Sequence, residues 1–140
     1  MIDSMRRPRL EFVIDCEDPW ALVGFWEAAL SYDRHPEADG NPYLGLLPPD
    51  DEPGPVLVLQ RVPEPKAGKN RAHLDLYVAD PNSLIEHLVS CGGRRVGDPQ
   101  VHAGQWFQVM HDPEGNEFCV LQEWLEEQAP TRVRSHGHRR

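Results

Sequence analysis

HDPEGNEFCVL, residues 111–121, sets a proline and a glycine inside a short polar interval flanked by apolar runs. Pro113 and Gly115 sit where a tight turn needs a fixed φ and a permissive residue, so Asp112 to Asn116 is predicted to be a turn. The runs on either side, QWFQVMH (105–111) and EFCVLQ (117–122), then read as its two strands. Upstream, Cys91-Gly92-Gly93 closes a helix whose face is Leu84, Ile85, Leu88 and Val89. Asp80-Pro81 opens that helix, with the acid as N-cap and the proline in the first turn. Before it, AHLDLYV (72–78) alternates Leu74, Leu76 and Val78 with His73, Asp75 and Tyr77, the pattern of a half-buried strand. Arg94 to Val96 opens a further strand, giving the order βαβββ.

The first half repeats that order. LEFVIDC (10–16) is a strand, and Asp18-Pro19 caps a helix running to about Ser31. YLGLL (43–47) and VLVLQRV (56–62) are strands, the second halted by Pro63. At an offset of 62, Asp18-Pro19 falls on Asp80-Pro81, Leu22 on Leu84 and Leu59-Gln60 on Leu121-Gln122. Two such units cannot each bury a sheet face alone, but together they can. The expectation is an α+β domain over residues 10–124, with module one at 10–62 and module two at 72–124. In the first helix, Trp20 and Trp26 lie about 240° apart, so Trp26 is assigned to the core and Trp20 towards the surface.

Composition narrows the classes. With 140 residues, 39% hydrophobic and 26% charged, the chain suits one domain with a real core. No apolar stretch approaches the ~18 residues that span a bilayer, and the first residues lack the apolar segment of a secretory signal. Three cysteines, Cys16, Cys91 and Cys119, form no CxxC pair, which favours reduced thiols and a cytoplasmic location. The net charge is −9, yet residues 1–9 carry +2 and residues 132–140 carry +4, leaving −15 on the 122 residues between. That body repels phosphate backbones, so no nucleic-acid partner is expected. Residues 1–9 and 128–140 are expected to be basic, flexible tails, and the HGH of the second to reflect composition. Seven of 14 prolines lie between Pro42 and Pro65, and Pro48 to Pro55 is expected to be an exposed connector. No Walker-type loop, GxGxxG or GxSxG is present.

The paired βαβββ order, together with AHLDLYVADP (72–81), CGGRRVGDP (91–99) and HDPEGNEFCVL (111–121), resembles the vicinal oxygen chelate superfamily. That superfamily includes glyoxalase I, extradiol dioxygenases and the bleomycin-resistance proteins; the chain looks most like its glyoxalase-like domain branch. The resemblance implies the glyoxalase/bleomycin resistance/dioxygenase fold, a curved mixed sheet around a central cleft. It also implies metal ligands on the first and last strands of each module. His73 matches that pattern. Glu11 stands where a histidine is usual, and Cys119 where a glutamate is. Val56 to Arg61 holds no acid, and Gln60 is its only neutral polar residue. A nickel or ferrous site wants imidazole and carboxylate ligands, so these departures disfavour it. Glu11, His73 and Cys119 remain the candidates for a zinc site, since zinc accepts O, N and S.

The expected cleft residues are Glu11, Asp15, Gln60, His73, Asp75, Trp106 and Cys119. Asp75 and Tyr77 share the strand face of His73, and Asp15 shares that of Glu11. Of Trp106 and Phe107, alternation lets only one face the cleft. His73 beside a carboxylate is the candidate acid–base. A Cys119–His73 nucleophile pair has no oxyanion hole to support it. The leading expectation is a protein that binds a small polar or cationic molecule without a catalytic metal, with no cofactor, as a homodimer and with no membrane partner. The alternatives are a lyase or isomerase, or a metal-dependent enzyme of this superfamily, using His73; glyoxalase I activity is not expected. A regulatory module with a vestigial cleft is the third.

Overall fold

Both Asp-Pro pairs start helices. Asp18 accepts from the backbone N–H groups of Trp20 and Ala21, and Asp80 from that of Ser83, each with proline in the first turn. Such caps contribute about 1 kcal/mol each. The protein is described by a computed structural model covering residues 9–35 and 42–123. Its elements are β1 (Glu11–Cys16), α1 (Pro19–Leu30), β2 (Asp33–Arg34), β3 (Tyr43–Leu47), β4 (Val56–Arg61), β5 (Leu74–Val78), α2 (Pro81–Ser90), β6 (Arg94–Arg95), β7 (Gln100–His102), β8 (Gln105–His111) and β9 (Glu117–Gln122). The expected tails, apart from Arg9, and the tail histidines lie outside the described residues. So does residue 124, the expected domain end. Among the described residues no helix is long and apolar enough to cross a membrane.

The strands form two mixed sheets rather than one continuous sheet. The first has the order β1-β4-β3-β2; the second has β5-β9-β8-β6, with β7 also on β8. In each, the first strand of the module pairs in parallel with the last, and the other pairs are antiparallel. Each helix covers one face of its own sheet. Leu57 and Leu59 of β4 face α1, and Phe118 and Val120 of β9 face α2, all four within 2% of complete burial. The Pro48–Pro55 segment connects β3 to β4, as a proline-rich stretch must. Tyr32 Oη donates to the Pro55 carbonyl at 2.8 Å and holds this connector down.

α1 is apolar on more than one side because it packs on both modules. Its Leu22, Val23, Phe25 and Trp26 are all buried, and Trp20 is partly buried against the core. Phe25, Trp26 and Phe118 meet edge to face, with ring centroids 5.2–5.7 Å apart. Gly93, just past α2, is a point of close approach between the modules: a Cβ there would stand 2.7 Å from Phe25 Cε1.

The turn from Asp112 to Asn116 closes this junction. Asp112 is 3% exposed, and its carboxylate accepts from four donors: Trp26 Nε1, the backbone N–H groups of Glu114 and Asn116, and Asn116 Nδ2. Glu114 reaches the other way and accepts from the N–H groups of Glu17 and Asp18 at 2.7 and 3.1 Å. A carboxylate at a helix N-terminus meets unpaired N–H groups and the positive end of the helix dipole. Module two therefore caps the helix of module one, and the turn that starts β9 is anchored to α1.

Candidate functional site

The register decides which side chains share the open face of the second sheet. Asp75 lies opposite Cys119, and Cys119 opposite Val109; Tyr77 lies opposite Leu121, and Leu121 opposite Phe107. Glu117 pairs with His111, and His102 of β7 with Gln105. All of these alternate with the core residues Phe118, Val120 and Met110, so they point away from α2. All but Tyr77 and His111 line a cavity of about 380 Å³ whose floor is Phe107, Val109 and Leu121 and whose polar end is His73, Asp75, Glu117 and Cys119. That volume lies near the lower end of the ~300–1,000 Å³ typical of small-molecule sites.

Asp75 is the hub of the polar end. His73 Nε2 stands 3.2 Å from Asp75 Oδ1. The Cys119 thiol hydrogen-bonds to Asp75 and is pushed up to about 11, first by burial and then by the charges of Asp75 and Glu117. It is therefore a protonated donor at neutral pH, not a thiolate. Lys69, from the segment joining the modules, donates to both oxygens of Glu117 at 2.8 and 2.9 Å. That bond holds the Glu117 carboxyl below the usual carboxylate range. At the far edge of the sheet, burial and the adjacent Arg94 push the His111 imidazole down.

A second cavity, of about 440 Å³, lies along the seam between β1 and the start of module two. Asp15, Cys16, Glu64, Lys66 and Glu114 border it, and it shares Lys69, His73 and Glu117 with the first. Burial pushes the Cys16 thiol up to about 12, helped by Glu114 and Asp112, so this buried thiol is inert at neutral pH.

The structure therefore separates residues that the sequence reading had grouped. His73, Asp75 and Cys119 come together. Asp15 lies in the seam, beside Gln60 in the β1–β4 register. Glu11 is on the same face of the first sheet but borders neither cavity, and its carboxylate binds Arg9 at 2.6 Å. Trp106 must be corrected. It pairs with Val101, on the side of Gln108 and Met110, and packs against the core, while Phe107 takes the cavity face. Lys69, His102, Gln105 and Glu117 were not anticipated. Glu117 was detectable, because it stands two residues before Cys119 on one strand; Lys69 lies outside any strand and carries no such signal.

The matching family model, glyoxalase-like domain, covers residues 11–121. The chain belongs to the glyoxalase-like domain family. Solved structures agree on the fold. A glyoxalase/bleomycin resistance protein/dioxygenase family enzyme from Burkholderia phytofirmans superposes with a TM-score of 0.68 at 16% identity, covering 84% of this chain and 100% of that one. A fosfomycin resistance protein from Mesorhizobium loti gives 0.65 at 13% identity, covering 88% and 98%. A superfamily member from Sphaerobacter thermophilus gives 0.64 at 18%, covering 85% and 99%. No curated protein matches the sequence. These likenesses establish the glyoxalase-like fold and leave the chemistry to the residues of the site.

The metal that the superfamily implies can be tested against those residues. One ligand atom each from His73, Asp75 and Cys119 lie within 4.8 Å of one another, a mixed N, O and S set of the kind zinc accepts. Glu11 is not part of the set, so the trio expected from sequence is replaced by one containing Asp75. Cys119 would have to lose a proton held to about 11, and His73 and Asp75 their mutual contact. The set fits a nickel or ferrous centre poorly, because it supplies a single imidazole and a single carboxylate.

Proposed function

We propose that this glyoxalase-like domain binds a small polar or cationic molecule in the cavity on its second sheet, without a catalytic metal. The supporting observation is the arrangement of that cavity: an apolar floor of Phe107, Val109 and Leu121 beside the carboxylates of Asp75 and Glu117. Glu117 is already neutralised by Lys69, so Asp75 is the carboxylate left for a ligand cation, with His73 at its side. The acidic body raises the local concentration of cations and speeds their arrival. Elemental analysis of the purified protein tests the metal-free part. Well under about 0.1 equivalent of nickel, iron or zinc is expected, and near-stoichiometric metal lost in His73→Ala would overturn it.

One observation favours a second reading. An imidazole whose Nε2 meets a carboxylate at 3.2 Å has its tautomer set by that contact, leaving Nδ1 to take a proton. On this reading His73 is the base of a lyase or isomerase and Asp75 orients it. A compound consumed by the wild type and spared by His73→Ala would establish it. The free thiols Cys16, Cys91 and Cys119 suit a reducing cytoplasm. The exposed apolar side chains Leu10, Phe12 and Val13 on and beside β1, an edge strand, suit a homodimer. Light scattering of the purified protein tests the dimer.

A further inference from the structure

Away from both cavities, α2 ends on a pair of side chains of the metal-binding type. His87 is in its last turn and Cys91 is its C-cap, four residues on, so the two stand on one side of the helix. Cys91 Sγ lies 4.0 Å from His87 Nε2. The thiol also approaches Ser90 Oγ at 4.0 Å, and that hydroxyl donates to the His87 carbonyl at 2.5 Å. His87 is exposed and Cys91 is half-buried, so solvent reaches the pair. An ion entering between sulfur and imidazole therefore breaks no ion pair and no short hydrogen bond.

The backbone fixes this end of the helix. The Cys91 N–H bonds to the carbonyls of His87 and Leu88, both at 3.1 Å. Gly92, with φ of 101°, then turns the chain, and the Gly93 N–H closes on the Leu88 carbonyl at 2.9 Å. Gly93 itself is pressed against Phe25 of the core. Donors on such a rigid element need little reorganisation to bind. The C-terminal end of a helix also carries partial negative charge, which favours a cation.

The donors and their separation select the ion. Bonds of about 2.0 Å to imidazole and about 2.3 Å to thiolate set the two donors about 3.5 Å apart at a tetrahedral angle and about 4.3 Å apart when collinear. The observed 4.0 Å lies in the wide-angle part of that range. Among the described residues, the group of three or more such donors is His73, Asp75 and Cys119, so this pair has no third protein ligand. A structural zinc site needs four. Thiolate selects soft ions such as Cu(I), and imidazole suits copper.

We infer that His87 and Cys91 form a surface site for a soft monovalent cation, cuprous copper, held between the thiolate and the imidazole Nε2. Binding releases the thiol proton to solvent and leaves the oxidation state of the ion unchanged. The site is independent of the cavity on the second sheet and of the function proposed for it.

The test is anaerobic titration of the full chain with Cu(I), in competition with bicinchoninate, whose coloured cuprous complex reports the copper not held by protein. Wild type should take up one equivalent, and Cys91→Ser less than about 0.1 equivalent. His87→Phe should bind at least about tenfold more weakly, since losing a ligand costs no less than the ~10–100-fold of losing a partner that supports one. X-ray absorption of the copper-loaded wild type needs no variant to fold, and should show one sulfur and one nitrogen neighbour. Uptake undiminished in Cys91→Ser would place the copper on Cys16 or Cys119 and overturn the site. Equal affinity in His87→Phe, or a copper with sulfur neighbours alone, would remove the imidazole and overturn the pair. No uptake by the wild type would overturn it outright.

Discussion

Replacing Trp26 with phenylalanine removes one hydrogen bond and part of one ring from the junction between the modules. The indole is 1% exposed and donates to a carboxylate that is 3% exposed, at 3.0 Å. A buried hydrogen bond to a charged group is worth about 1.5–3 kcal/mol. The smaller ring leaves a void of about 40 Å³, which adds about 1 kcal/mol at the rate found for core truncations. Trp26→Phe should therefore cost about 2.5–4 kcal/mol, a large share of the ~5–15 kcal/mol that holds a typical domain. Equilibrium urea unfolding followed by far-ultraviolet circular dichroism measures this without depending on the lost indole. The partner substitution sharpens the test. In an Asp112→Ala background the same change should cost only the ~1 kcal/mol void, because the hydrogen bond is already gone. If Trp26→Phe costs the same in both backgrounds, the bond does not join the modules and the packing argument for α1 is wrong.

Four further outcomes follow from the same geometry. With its thiol held near 11, Cys119 should resist iodoacetamide at neutral pH while half-buried Cys91 reacts first, and labelling of Cys119 at pH 8 as fast as a free thiol would contradict this. Because that raised value exceeds the ordinary 9.0, Cys119 should also reduce folding stability as pH rises from 9 towards 11, a loss smaller in Cys119→Ala, where only the raised Cys16 thiol still contributes its share. Glu117 has the opposite sign: its stabilising contribution is complete above the ordinary 4.5 and is lost as pH falls through its lowered folded value, so the acid-induced drop in urea midpoint should be shallower in Lys69→Met than in wild type. Gly93→Ala sets a Cβ 2.7 Å from Phe25 Cε1 and 3.0 Å from the Leu88 carbonyl, so about 1–3 kcal/mol of destabilisation is expected, and an unchanged urea midpoint would show that the helices are not packed this closely.

Local chemistry was readable from the chain. The Asp18-Pro19 and Asp80-Pro81 helix starts and the turn at Asp112 to Asn116 need only neighbouring residues, and each stands where the sequence indicates. β2 and β7 have two and three residues and no alternation of their own; they exist because β3 and β8 offer partners. The wrong face assigned to Trp106 has a definite cause. In QWFQVMH both faces are apolar, and only pairing with β9, where Phe118 and Val120 are wholly buried, breaks the tie in favour of Phe107. The site was half legible for the same reason. Asp75 and Cys119 are 44 positions apart in the chain and meet through the parallel β5–β9 register. Glu11 looked equivalent to a ligand by its place in module one, yet the two sheets are separate and Arg9 takes its carboxylate. Gln105 owes its place to the Ala103-Gly104 hairpin, which periodicity does not reveal.

The most direct test of a metal-free binding site built on Asp75 is ligand retention. Protein freed of metals with a chelator is incubated with a cellular metabolite pool, separated from unbound material, and analysed by native mass spectrometry beside Asp75→Asn. The expected result is a small molecule held by the wild type at unchanged mass and lost from the variant. Retention that appears only when a divalent metal is restored, or that persists undiminished in Asp75→Asn, would contradict the account.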